Sequence, residues 1–183
     1  NCALDITSLL ATHMGANKRV MLRAGQSFEL SGANAFAWNA NGMTLTKFGT
    51  GANPSVNVKA TASAYNFSSG ITEARLFDLN HTIDATATGT QVVSTNGPTT
   101  QLTVIRIGVV GCGTGTAFTV NPGNGITQHD DHDQFCLSEC ATSGRLDMGV
   151  NGVSAFVSAV RGSIMGNTFD NTSYGEQTLR IPH

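Results

Sequence analysis

Short runs of alternating apolar and polar residues recur along the chain, separated by Gly, Asn, Asp and Pro, which is the pattern of half-buried β-strands joined by turns. Such runs cover 19–23, 27–31, 55–59, 74–79, 116–120 and 177–181. Asn41-Gly42 separates 35–38 from 43–48, and Asn96-Gly-Pro98 separates 90–95 from 101–110. Asn-Gly between apolar runs is a strong hairpin signal because both residues tolerate the positive φ of a type I′ turn. Both segments are therefore expected to form antiparallel pairs. Within 102–110, Leu102 and Val104 face one way and Ile105, Ile107 and Val109 the other, so this strand is predicted to be central in its sheet.

Three stretches depart from the β pattern. Ile6, Leu9, Leu10 and Met14 share a helical face that Gly15 ends, predicting a short amphipathic helix over 5–14. Residues 128–141 follow Thr127 as a cap, carry Asp130 and Asp131 in the first turn and lack Gly and Pro, predicting a second helix. Residues 153–164 fit helix and hairpin equally. The expected fold is mainly β: an antiparallel β-sandwich, immunoglobulin-like or jelly-roll-like, with one or two short helices. One domain spans 1–183, with 1–17 as a segment engaging a partner subunit and 121–145 as a loop–helix elaboration.

Composition moves this picture outside the cell. Half of the 183 residues are Gly, Ala, Ser, Thr or Asn and only 12% are charged, where an ordinary soluble domain carries about a quarter. The net charge is −2, and the ten Lys and Arg residues lie singly along the chain, which argues against nucleic acid as a partner. The longest mainly apolar run, 102–110, contains Arg106 and is too short to span a bilayer. Asn at position 1 followed by Cys2 is the expectation for a processed, secreted chain. Four cysteines, Cys2, Cys112, Cys136 and Cys140, are compatible with two disulfides. If Cys136 and Cys140 lie four apart on a helix, each pairs with Cys2 or Cys112 rather than with the other.

Residues 18–64 resemble the immunoglobulin-like modules of bacterial surface proteins. The likeness rests on a strand ending in Arg23-Ala-Gly-Gln26, then Ser27-Phe-Glu-Leu-Ser31, Phe36-Ala-Trp38 and Ser55-Val-Asn-Val-Lys-Ala-Thr61. It implies a two-sheet sandwich with Trp38 in its core, used as a spacer, adhesin or fibre subunit. It brings no catalytic residues.

The densest group of chemically capable side chains is His129, Asp130, Asp131, His132, Asp133, Cys136 and Cys140. Its imidazoles and sulfurs are zinc-type ligands, but four of them strung along about 16 Å of helix cannot share one ion. His129, His132 and Asp133 form the feasible subset, with zinc or calcium as the metal; the alternative is a solvated helix start beside disulfide cysteines. Calcium lacks the EF-hand spacing. Gly111-Cys-Gly-Thr-Gly115 lacks the third glycine and the helix of a dinucleotide fingerprint. Tyr65 and Tyr174 lie in Asn- and Ser-rich stretches and are candidates for stacking against a glycan.

These readings lead to an extracellular, non-enzymatic structural protein: a subunit of a surface filament, appendage or layer, or an adhesive module, with copies of itself as partners. The alternatives are a carbohydrate-binding module, a viral capsid or fibre protein, and a metal-dependent secreted enzyme. No resident cofactor is expected.

Overall fold

The computed structural model describes residues 4–68, 70–84, 91–95, 99–110, 116–120, 133–138, 141–142, 145–148, 161–166, 168–169 and 179–180. The first turn of the fold holds β1 (Leu4–Asp5), α1 (Thr7–His13), β2 (Arg19–Arg23) and β3 (Ser27–Trp38). Next come β4 (Thr44–Phe48), β5 (Ser55–Phe67), β6 (Ile71–Thr72), β7 (Arg75–Ile83) and β8 (Gln91–Thr95). Beyond these lie β9 (Thr99–Thr100), β10 (Thr103–Val110), β11 (Thr116–Val120), β12 (Asp133–Ser138), β13 (Ala141–Thr142) and β14 (Arg145–Met148). The last are β15 (Arg161–Met165), β16 (Thr168–Phe169) and β17 (Leu179–Arg180).

Every ladder among these strands is parallel. The molecule is a parallel β-solenoid, and this overturns the antiparallel, immunoglobulin-like sandwich. Arg19 lies beside Thr44, Thr44 beside Arg75 and Arg75 beside Thr103, so three successive turns measure 25, 31 and 28 residues. The stack continues through Cys136 and Ser163. Alternation of period two reports only that one side of a strand is buried. It is silent on whether the neighbour runs parallel or antiparallel.

Three faces follow from the pairing. The first stacks β2, β4, the start of β7, the start of β10, β12 and β15. The second stacks the first half of β3 and of β5, the end of β7, the end of β10, β13 and β16. The third stacks the second half of β3 and of β5, then β8, β11, β14 and β17. Strand β10 pairs on both sides, so the expectation of a central strand holds.

Corners are made by left-handed residues stacked on one another. Asn17, Gly42, Glu73 and Gln101, with φ of 57°, 70°, 57° and 59°, each precede by two residues the strand that starts the first face. Asn41-Gly42 is thus a solenoid corner, where the hairpin reading expected a reversal: β3 and β4 flank it without pairing, because β3 pairs with β1 and β5, and β4 with β2 and β7. The reading of 90–95 and 101–110 as an antiparallel pair fails for the same reason, since β8 pairs with β5 and β11. A Cβ on Gly42 would collide with Asn17 Oδ1 and stand 3.3 Å from Asn17 Cα. With its positive φ as well, Gly42→Ala is expected to cost about 1–3 kcal/mol in a urea titration, against under about 0.5 kcal/mol at an exposed site such as Ala11 changed to Ser.

Inward side chains line up turn upon turn. Val20, Leu45, Leu76 and Val104 form one buried row, and Phe28, Val56, His81 and Val109 another. Trp38 stacks on Phe67 at 4.7 Å and meets Phe36 and Tyr65 edge-on, so its expected place in a core is correct although the core belongs to a different fold.

Helix α1 falls where the periodicity of 5–14 predicts. Ile6 and Leu10 are fully buried and join the core from the first turn's open end. The cap is tied to β3 by Ile6 N–H donating to the Glu29 carbonyl at 2.8 Å and Ser31 N–H donating to Thr7 Oγ1 at 3.0 Å. Asp5 accepts from Thr7 N–H and Ser31 Oγ, and these bonds, chiefly the one from the Thr7 backbone, hold its carboxyl below the usual range. The segment expected to engage a partner subunit spends its apolar face on its own solenoid.

Candidate functional site

The sequence-predicted site residues are scattered by this fold. His129, His132 and Tyr174 lie outside the described residues, as do Cys2, Cys112 and Cys140. Asp133 and Cys136 lie on β12, so 133–138 is strand where the helix over 128–141 was predicted. Asp133 and Cys136 therefore do not follow helical spacing, and the argument that kept Cys136 from Cys140 loses its premise. Among the described residues, no three His, Cys, Asp or Glu side chains group as a metal site, and no helix is long and apolar enough to cross a membrane.

Tyr65 is fully buried, so no glycan can stack on its ring. It faces the second-face row, where its hydroxyl and His81 Nε2 are 3.0 Å apart with the rings edge-on. Val56 and Val109 are the register neighbours of His81 on either side. Burial chiefly pushes the imidazole down to about 4. Burial alone pushes the Tyr65 hydroxyl well above its ordinary value. At neutral pH the pair is an uncharged polar contact in an apolar interior, suited to fixing register rather than to catalysis.

Stacking also gathers charges that are far apart in sequence. Lys18, Arg19 and Arg23 precede or occupy β2, Lys47 is on β4, Arg75 begins β7 and Arg106 is on β10. All lie on the first face or its edges between β2 and β10, where Glu73 and Asp78 are the only acids among the described residues; farther along this face β12 begins at Asp133 and β15 at Arg161. Asp78 and Arg106 are both left-handed, at φ of 57° and 53°, and occupy the same corner on consecutive turns. Arg106 grips Asp78 with two hydrogen bonds of 2.6 and 3.0 Å, and this pairing chiefly holds the Asp78 carboxyl below its usual range. Arg75 pairs with Glu73 at 3.2 Å, and Lys47 Nζ donates to the Asn53 side chain and the Gly51 carbonyl. Lys18, Arg19 and Arg23 are exposed.

Apolar groups interleave with these cations. Met21 and Phe48 are 52% and 58% exposed, and Phe48 lies beside Arg23 in the ladder. Phe77 and Ile105 continue the Met21 row across the next turns, partly exposed. The second face carries the opposite balance, with Asp5, Glu29 and Asp84 against Lys59, which pairs with Glu29 at 2.8 Å. Reading the chain linearly missed both the basic face and His81. The signal for the face was a recurrence at 25 to 31 residues, obscured because no two of the measured turns have equal length.

Compared with known proteins, the chain matches no family model, no curated protein and no solved structure.

Proposed function

We propose that this chain is an extracellular structural and adhesive module, a stiff surface element that works by contact with other matter rather than by turnover. The observation that carries this reading is the parallel stack itself. Backbone ladders join the turns, and inward rows run from Val20 to Val104 and from Phe28 to Val109, giving a rigid body whose outer faces repeat from turn to turn. Six strands stacked on the first face extend it about 24 Å at the usual strand spacing. Low charge over the whole sequence suits close packing against neighbours, because little like-charge repulsion opposes contact.

Ile6 and Leu10 of this segment are buried in the core of the same chain, so assembly through residues 1–17 is no longer the favoured route. Contact through the faces or through the far end takes its place. Sedimentation of the native protein together with negative-stain microscopy tests the reading: elongated particles, filaments or lattices are expected. Compact, dispersed particles that turn over a substrate would overturn it.

A further inference from the structure

We propose that the first face is a binding surface for a linear acidic polysaccharide laid along the solenoid axis, across the strands. The proposal deepens the adhesive part of the reading above and rests on it for the setting, while the binding itself is a property of the isolated chain.

Charge is the first argument. Among the described residues between β2 and β10, Lys18, Arg19, Arg23, Lys47, Arg75 and Arg106 lie on this face or its edges against Glu73 and Asp78, an excess of four positive charges in a chain whose net charge is −2. The opposite sign prevails on the neighbouring face, so a polyanion has one preferred side. Four of the six cations are arginines, whose planar fork engages carboxylate and sulfate oxygens in pairs. Arg19 and Arg23 are exposed and make no ion pair among the described residues, so they can bind without first releasing a partner.

Shape is the second. From β2 to β10 the strands cover about 14 Å in regular steps. Phe48 offers an exposed ring beside Arg23, a flat apolar surface for the face of a sugar next to a cation for its acid group. Met21, Phe77 and Ile105 give the same row an apolar floor, and Thr46 adds a hydroxyl.

A polysaccharide fits better than the other polyanions. Duplex DNA presents a charge about every 1.7 Å and is held by many phosphate contacts, more than four spare charges supply. An anionic bilayer is engaged by projecting amphipathic elements, whereas these residues lie within strands of one sheet.

The test is calorimetric titration of the full chain at low salt with alginate and with dextran sulfate, and with neutral dextran, duplex DNA and phosphatidylserine vesicles as competitors for the assignment. Alginate or dextran sulfate is expected to bind with an affinity that falls as salt rises, and neutral dextran not to bind. Arg19→Gln with Arg23→Gln should weaken binding at least tenfold, and Phe48→Ala several-fold, with melting temperatures close to the parent. Lys59→Gln, on the second face, should leave binding unchanged. The proposal is overturned if neither acidic polymer binds, if Arg19→Gln/Arg23→Gln binds like the parent, or if DNA or the vesicles bind more tightly than both polysaccharides. Because titration needs no assembly, a failure here is separable from a failure to form filaments.

Discussion

Leu10→Asp is expected to unfold the first turn of the solenoid. Leu10 is fully buried under α1 and, with Ile6, closes the apolar end that the first turn would otherwise present to water. Truncation to alanine alone is expected to cost about 2–5 kcal/mol, because transfer energy and a cavity add. An aspartate at that position also loses its hydration or forces the helix off, and a domain with about 5–15 kcal/mol of total stability does not absorb that readily. Leu4→Asp, three-fifths exposed one strand away, is the control and should change stability by under about 0.5 kcal/mol. Urea titrations of the three variants decide the matter. Equal midpoints for Leu10→Asp and Leu4→Asp would show that α1 does not cap the core. Deleting residues 1–15 should likewise destroy the fold and leave a bare β3 edge open to aggregation.

The second large effect is a loss of stability on acidification through the range of His81. Its folded pKa is pushed down to about 4 from an ordinary 6.5, so the unfolded chain binds the proton more readily. The contribution of the neutral imidazole is complete above pH 6.5 and declines as pH falls from there, levelling off below about 4. The full change amounts to about 3 kcal/mol. Asp5 and Asp78, both held below their usual range, lose their contributions at lower pH, so the windows are largely separate. Denaturation at pH 7, 5.5 and 4.5 should show the decline. His81→Val with Tyr65→Phe replaces the pair by groups that suit the Val56 and Val109 row, and should flatten the curve between pH 6.5 and 4.5. A parent chain as stable at pH 4.5 as at 7 would contradict the burial of His81. Tyr65 adds the mirror effect in alkali: its folded pKa is raised, so its contribution is intact below about pH 10 and is lost as pH climbs above it.

Local structure was legible in the sequence, and its pairing was not. Runs at 19–23, 27–31, 55–59, 74–79 and 116–120 all lie in or overlap strands, and the 5–14 helix is present as Thr7–His13. Period-two burial and a helical apolar face are written within a few residues, where local chemistry determines them. Strand direction is set by what lies 25 to 31 residues away, and the corner residues that control it share their chemistry with hairpins. Asn41-Gly42 supplies a positive φ in either setting. The 128–141 helix failed over 133–138 because capping and absent Gly or Pro describe what a segment can do alone. The ladders to β10 and β15 decide what it does here.

The candidate site was less legible still. Clusters along the chain drew attention to His129, His132 and Asp133, whereas the charged face joins Arg19, Arg75 and Arg106, residues that no short motif connects. Tyr65 looked loop-borne because Asn and Ser lie beside it in sequence, yet it stands within β5 with its ring fully buried in the core. His81 carried no signal at all until register placed it between two valines.

Parallel stacking is the claim on which the face, the cap and the histidine row all depend, and a nuclear Overhauser spectrum of the labelled protein tests it most directly. Methyl contacts are expected from Val20 to Leu45, Leu45 to Leu76 and Leu76 to Val104, in that order. Close Hα–Hα contacts between 35–38 and 44–48, the mark of an antiparallel hairpin across Asn41-Gly42, would contradict it.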